Sequence, residues 1–164
     1  MSKRAAGADN DALSPDFLDF IVCLNTRGVD FVLIGGYALA FYGVLRATGD
    51  IDFLYRRTKA NVRRLCHAME DFGAPINVID QAVLMTPEIV MQFGQPPFRI
   101  DLLNAIDGVD FREVWAGAST TTIQGQQIRV IGLVELRANK AVTGRKKDED
   151  DVRKLSAQTS RKRR

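Results

Sequence analysis

The residues best suited to chemistry are two aspartates, Asp50 and Asp52, in a run that alternates polar and apolar side chains. Such alternation is typical of a β-strand and places both carboxylates on one face, with their Cα atoms about 6.6 Å apart. Two carboxylates about 4 Å apart repel each other by roughly 4 kcal/mol at an effective dielectric constant near 20. Mg²⁺ or Mn²⁺, which prefer hard carboxylate oxygens, would turn that repulsion into binding energy. Alone, an Asp-x-Asp pair is more often a solvated strand edge or turn than a metal site.

A strand that ends at two glycines precedes the acidic pair. The run up to Ile34 is rich in β-branched and aromatic residues, which indicates a strand buried on both faces. Gly35 and Gly36 lack a Cβ, so they can form a tight turn and bring backbone N–H groups close to an anion. Residues 38–40 are good helix formers. The pattern predicts a strand, a glycine turn and a helix that together seat an anion.

A third acidic residue, Asp101, lies in a later strand pattern. Residues 89–93 and 98–103 are typical of strands, and the glycine and prolines between them favour an antiparallel pair. This pairing would place Asp101 beside the strand that carries Asp50 and Asp52.

The remaining chain shows mainly helical periodicity. Helices are predicted from Ser14-Pro15 to Gly28, from Thr58 to Gly73, over 111–115, from Leu133 to Gly144 and from Asp148, and a β-hairpin is predicted around Gly125. Asp148 is expected to cap the last helix, with Asp151 near its N-terminus, which is a structural explanation for both acids. Residues 74–86 show neither period clearly, so helix and strand both stay open there.

These motifs resemble the signature of the polymerase-β-type nucleotidyltransferase superfamily, which has a glycine pair, a spacer (13 residues here), Asp-x-Asp and a third acidic residue on a later strand. A subgroup related to abortive-infection and toxin–antitoxin nucleotidyltransferases is similar over further positions: Arg46, Thr48, Leu136, Lys140, Gly144-Arg145, Lys147-Asp148, Asp151-Val152 and Leu155. The resemblance covers roughly residues 17–155. It departs at Gly36, where many members carry a serine hydroxyl.

The resemblance implies a fold and a set of site residues. The fold is α+β (α/β), the nucleotidyltransferase fold, with helices packed on a mixed β-sheet and further helices at the C-terminus. The resemblance implies that catalysis and the binding of Mg²⁺ or Mn²⁺ are carried out by Asp50, Asp52 and Asp101. It implies that the nucleoside triphosphate is contacted by Gly35, Gly36, Arg46, Thr48, Lys140 and Lys147. The expected triphosphate contact of Lys140 has a physical reason as well, because a lysine on the inward side of an apolar helix is costly to bury without an anion.

The implied reaction is transfer of a nucleoside monophosphate from a nucleoside triphosphate to an acceptor hydroxyl, with release of pyrophosphate. RNA such as tRNA, or a protein, is the expected acceptor. The protein is further expected to be the toxin of a toxin–antitoxin pair and to bind a cognate antitoxin. Two alternatives stay open: a non-catalytic nucleotide- or partner-binding module on the same fold, and a small-molecule (antibiotic) nucleotidyltransferase. A P-loop kinase is disfavoured because no Gly-Lys-Ser/Thr follows the glycine pair.

Length and composition fit one domain. The 164 residues are 46% hydrophobic, and we expect a single domain over 14–157 between a disordered segment 1–13 and a basic disordered tail 158–164. The 23 basic and 20 acidic residues nearly balance, which gives a net charge of +3, and four of the basic residues are at 161–164. Apolar runs fall short of the roughly 18 residues of a membrane span, and the two cysteines have no metal-site spacing, so a cytoplasmic protein without membrane association is expected.

Overall fold

The computed structural model describes residues 13–44 and 49–162, with side chains as far as residue 157. Arg46, Thr48 and residues 1–12 of the expected N-terminal tail therefore lie outside the described residues. The elements in chain order are α1 (Pro15–Thr26), β1 (Phe31–Ile34), α2 (Gly35–Phe41), β2 (Asp50–Tyr55), α3 (Lys59–Phe72), a 3₁₀ turn (Ile76–Val78), α4 (Gln81–Leu84), β3 (Val90–Gln95), β4 (Phe98–Leu103), α5 (Phe111–Gly117), β5 (Ser119–Ile123), β6 (Gln126–Val130), α6 (Leu133–Val142) and α7 (Lys146–Lys162).

The strands form one mixed sheet in the order β3-β4-β2-β1-β6-β5. Neighbouring strands β1 and β2, β3 and β4, and β5 and β6 are antiparallel, whereas β2 runs parallel to β4 and β1 runs parallel to β6. Both hairpins expected from the sequence are present, and the α+β (α/β) architecture with a mixed sheet is confirmed.

The main core lies on one face of this sheet, under α1 and α3. Phe20 of α1 contacts the rings of Phe53 on β2, Phe72 on α3 and Phe93 on β3, with ring centroids 5.2 to 5.8 Å apart. Phe53 and Ile51 are fully buried. Because side chains alternate along a strand, burial of Ile51 and Phe53 turns Asp50 and Asp52 to the opposite face.

Helix caps follow the sequence signals. The Ser14 hydroxyl accepts a hydrogen bond from the Phe17 N–H with Pro15 in the first turn, and Thr58 accepts one from the Asn61 N–H. Gly73 ends α3 in the left-handed conformation at φ 86°, which a residue with a Cβ rarely adopts. The predicted boundaries of α1 and α3 are thereby confirmed to within two residues.

Three local expectations differ from the structure, and residues 74–86, where helix and strand were both open, are resolved. Helix α2 begins at Gly35 itself, so no separate turn follows β1. Residues 74–86 form only the 3₁₀ turn and α4, too short for a clear period. Leu13, expected in a disordered segment, is buried, and its N–H donates to the Gln124 side chain. Helix α7 continues to Lys162, past residue 158, because no glycine or proline interrupts the sequence there.

No helix in the described part of the chain combines the length and the apolar character needed to cross a membrane.

Candidate active site

The predicted acidic residues meet on the face of the sheet opposite α1 and α3. Strands β2 and β4 pair so that Asp52 is opposite Asp101 and Asp50 is opposite Arg99. Asp101 is buried, with 8% of its surface exposed, whereas Asp50 and Asp52 are half-buried. The expectation that β4 brings Asp101 beside the acidic strand is confirmed.

Gly35 lies directly against this row of carboxylates, formed by Asp50, Asp52 and Asp101. A Cβ added at Gly35 would stand 2.1 Å from the Asp52 Oδ2 atom, and the residue has a φ of +73°. Both facts exclude an ordinary side chain, because the contact is far inside van der Waals distance and the conformation is strained for a residue with a Cβ. The first glycine of the pair thus makes room for the Asp52 carboxylate.

The carboxyl groups of Asp52 and Asp101 are close enough to interact, and the pKa of Asp52 is raised to about 7. Burial is the largest cause, the neighbouring Asp101 and Asp50 carboxylates add to the shift, and Lys140 opposes it. Burial also raises the pKa of Asp101. The repulsion expected from the sequence therefore favours uptake of a proton by this pair.

Arg99 is the second group that relieves the repulsion. Its Nη2 donates to Asp50 Oδ2 at 2.9 Å, and its Nε lies 3.7 Å from Asp101 Oδ1. That Nε and that Oδ1 are both buried without a hydrogen-bond partner. The sequence interpretation missed Arg99, although the alternation in 98–103 places it on the face of Asp101.

An open cavity of about 480 Å³ lies beside the row. Gly35, Gly36, Asp50 and Asp52 line one part of it. The other charged lining comprises three basic residues, called the cationic wall below, and the acids Asp107 and Asp148: the basic residues are Lys140, Arg145 and Lys147. The structure thus brings Gly35, Gly36, Lys140 and Lys147 together, as the resemblance implied.

Asp148 holds the cationic wall in place. Its carboxylate accepts hydrogen bonds from Lys140 Nζ at 2.8 Å, Thr143 Oγ1 at 2.5 Å and Arg145 Nε at 2.8 Å, and Asp151 Oδ2 lies 3.5 Å from Lys140 Nζ. The Asp148 side chain is only 2% exposed. Burial on its own would raise the pKa of Asp148, but the hydrogen bonds from Lys140 and Thr143 and the charges of Lys140 and Arg145 hold it at about 2.

This arrangement corrects the interpretation of Asp148 as a helix cap. Helix α7 begins at Lys146, so Asp148 lies inside its first turn and points back to α6. Lys140 lies in α6 and Asp148 in α7. Because the chain is not continuously helical between them, no periodicity in the sequence predicts that these two side chains meet. The bases and acids clustered at 145–151 were the one sequence signal for such ion pairs. A solvent-exposed helix start explained the same residues equally well.

The carboxylate row fits a divalent cation by its chemistry. As they stand, no three carboxylate, imidazole or thiol groups of the described residues are gathered closely enough to hold a metal ion. The raised pKa of Asp52 favours a proton at the Asp52–Asp101 pair, and Arg99 donates a hydrogen bond to Asp50. The donors are nevertheless the hard oxygens that Mg²⁺ and Mn²⁺ prefer, and Asp101 Oδ1 is a buried acceptor without a hydrogen-bond partner.

Comparison with solved structures gives the same fold. The lincosamide antibiotic adenylyltransferase LnuA, in its lincomycin-bound form, is 15% identical with a TM-score of 0.59, over 88% of this chain and 97% of its own. A protein of Thermotoga maritima assigned as a nucleotidyltransferase is also 15% identical with a TM-score of 0.59, over 88% of this chain and 95% of its own. At this identity the likeness shows the nucleotidyltransferase fold alone. No curated protein sequence matches the chain.

A protein-family model gives a match at the level of sequence. The model described as "Nucleotidyl transferase of unknown function (DUF2204)" matches residues 15–164, which include the glycine pair, the three aspartates and the cationic wall. The chain therefore belongs to this nucleotidyltransferase family.

Proposed function

We propose that the protein is a metal-dependent nucleotidyltransferase that transfers a nucleoside monophosphate from a nucleoside triphosphate to an acceptor hydroxyl. The observation that supports it best is the row of Asp50, Asp52 and Asp101 beside a cavity that the cationic wall also lines. A triphosphate needs cations along its length, and the reacting phosphorus needs carboxylates that can hold a divalent ion. The acidic row and the cationic wall would supply these two requirements at one cavity.

Each group has a role in this proposal. Lys140, Arg145 and Lys147 would bind the triphosphate oxygens, with Gly35 and Gly36 allowing its close approach. Asp50, Asp52 and Asp101 would hold Mg²⁺ or Mn²⁺, which when bound neutralises charge on the phosphates and favours ionisation of the acceptor hydroxyl. Asp101 would take the hydroxyl proton. The acceptor oxygen then forms its bond to the α-phosphorus, and pyrophosphate leaves with the electrons of the broken bond.

The proposed acceptor is a macromolecule, with RNA such as tRNA preferred over a protein. The exposed cations beside the cavity support an acceptor rich in phosphate, and the resemblance to toxin–antitoxin nucleotidyltransferases adds the toxin role and a cognate antitoxin as partner. A small antibiotic acceptor, as for LnuA, remains the second candidate because of the shared fold.

The first test is binding of metal and nucleotide, measured by calorimetry with Mn²⁺ and a non-hydrolysable ATP analogue. Replacement of the central carboxylate in Asp52→Ala is expected to weaken Mn²⁺ binding by about tenfold or more, since a hard cation loses a charged ligand. Asp19→Asn, an exposed acid on α1, is the matched control and should bind like wild type. Equal binding by Asp52→Ala and wild type would remove the metal assignment.

The second measurement identifies the acceptor. The protein is incubated with Mg²⁺ and each labelled nucleoside triphosphate in turn, together with total RNA, a protein extract or lincomycin. We expect label on RNA that Asp50→Ala abolishes. Label on protein or on lincomycin would replace the RNA acceptor with that one. Triphosphate binding without transfer to any of the three would favour the non-catalytic module.

A further inference from the structure

Arg99 and Asp101 present an unsatisfied donor and an unsatisfied acceptor to each other. The Arg99 Nε–H is a donor, Asp101 Oδ1 is an acceptor, both are buried without a hydrogen-bond partner, and 3.7 Å separates them. This distance is too long for a hydrogen bond. A buried polar atom without a hydrogen-bond partner is unfavourable, so a ligand that pairs with both atoms would be favoured.

A hydroxyl group has the chemistry that this pair lacks. It accepts one hydrogen bond and donates another, so it can accept from Arg99 Nε and donate to Asp101 Oδ1. An oxygen about 2.8 Å from each atom is compatible with their separation of 3.7 Å. Asp101 can serve a metal ion as well, because a carboxylate offers about four lone-pair sites.

The position of the pair fits the acceptor and not the triphosphate. Sheet order places β4 on the far side of β2 from β1 and its glycines. Asp50 and Asp52 line the cavity with the cationic wall, whereas Arg99 and Asp101 lie beside them toward β3. The Arg99 side chain is 43% exposed and is held to Asp50 by one hydrogen bond, so it can adjust to bind a group that enters from this direction.

We propose that Arg99 binds the acceptor hydroxyl, with Arg99 Nε donating to the hydroxyl oxygen while the hydroxyl donates to Asp101. This proposal rests on the proposed function, and it assigns to Arg99 a role in substrate binding beyond its ion pair with Asp50. Its guanidinium also supplies positive charge near the attacking oxygen, which suits a terminal ribose with a phosphate close by.

The experiment compares two RNA oligonucleotides that differ only in the terminal nucleoside, which either carries its ribose hydroxyls or lacks both. Their affinities are measured by fluorescence anisotropy with Mn²⁺ and a saturating non-hydrolysable ATP analogue. Wild type is expected to bind the hydroxyl-bearing RNA about tenfold more tightly, as for a hydrogen bond to a charged group. Arg99→Met, which removes every donor, should reduce this ratio to about one.

Two further variants separate the hydrogen bond from charge. Arg99→Lys keeps the charge beside Asp50 but lacks Nε, so it should bind Mn²⁺ and the analogue like wild type and still lose most of the ratio. Arg112→Gln, an exposed arginine on α5, is the control and should keep the ratio. The proposal is overturned if wild type binds both RNAs equally, or if Arg99→Met keeps the wild-type ratio. Failure of wild type to bind the analogue and Mn²⁺ at all would instead overturn the proposed function.

Discussion

At the scale of single residues, two features offset the repulsion among the three carboxylates. The pKa of Asp52 is raised to about 7, so this carboxyl takes up a proton readily, and Asp50 is paired with Arg99. The sequence predicted that the carboxylates share a face, because alternation along a strand is a local property. It did not predict the pairing with Arg99, which depends on the register of β2 against β4 and hence on contacts between distant segments.

The raised pKa of Asp52 predicts how stability depends on pH. Asp52 titrates at about 7 in the folded protein, compared with 3.8 for the ordinary group. Between these values the folded state binds the extra proton, so the free energy of unfolding should fall as pH rises from about 4 to 7 and then level off. The fall is at most about 4 kcal/mol, since one pKa unit corresponds to about 1.4 kcal/mol.

Urea unfolding in EDTA at pH 5, 6, 7 and 8 measures this effect. Asp52→Asn cannot ionise at this position, so its stability should vary much less over the same range. Asp148 does not interfere, because its pKa of about 2 affects stability only in acid, below its ordinary value of 3.8. A wild-type protein that becomes more stable from pH 5 to 8 would contradict the assignment of a protonated Asp52.

At the scale of elements, predictions succeeded where one segment carries its own signal. The caps of α1 and α3 could be predicted from the sequence because Ser14, Thr58 and Gly73 act on their own helix. Contacts between elements could not be predicted in this way. Thr143 and Lys140 at the end of α6 meet Asp148 in α7 only because the chain reverses near Gly144, which has a φ of +68°.

Removal of the Asp148 carboxylate should destabilise the α6–α7 pair and the cationic wall together. Asp148→Ala leaves Lys140, whose side chain is 11% exposed, without its closest anion. Breaking a buried ion pair typically costs about 3 to 5 kcal/mol, and the freed lysine should bind triphosphate less well because its position is lost. Urea unfolding and calorimetry with the ATP analogue measure the two effects.

Asp150→Ala is the matched control on the same helix. Asp150 pairs with Arg153 at an exposed site, where the acid is 45% exposed, so its loss should change stability by less than about 1 kcal/mol. If both variants lose the same stability, Asp148 is an ordinary surface acid and does not organise the cavity wall.

At the scale of the whole molecule, the net charge of +3 conceals an uneven distribution. The exposed Lys146 and Lys147 begin α7 next to the cavity, whereas Lys59 and Arg63 are exposed on α3, across the sheet from the carboxylate row. The positions of these residues in the sequence do not show that the sheet lies between the two groups.

The fold therefore predicts that, of these two groups, the cations of α7 contribute to productive RNA binding and those of α3 do not. Each phosphate contact adds about −0.7 to the slope of log affinity against log salt concentration for a single strand. The double variant of Lys146→Gln and Lys147→Gln should make this slope shallower by about 1.4, whereas the double variant of Lys59→Gln and Arg63→Gln should leave it unchanged. Anisotropy titrations of a labelled RNA oligonucleotide from about 50 to 200 mM salt give both slopes. Equal changes in the two double variants would mean that RNA binds both faces without selecting the site, because a strand placed at the carboxylate row cannot also follow α3 on the opposite face of the sheet.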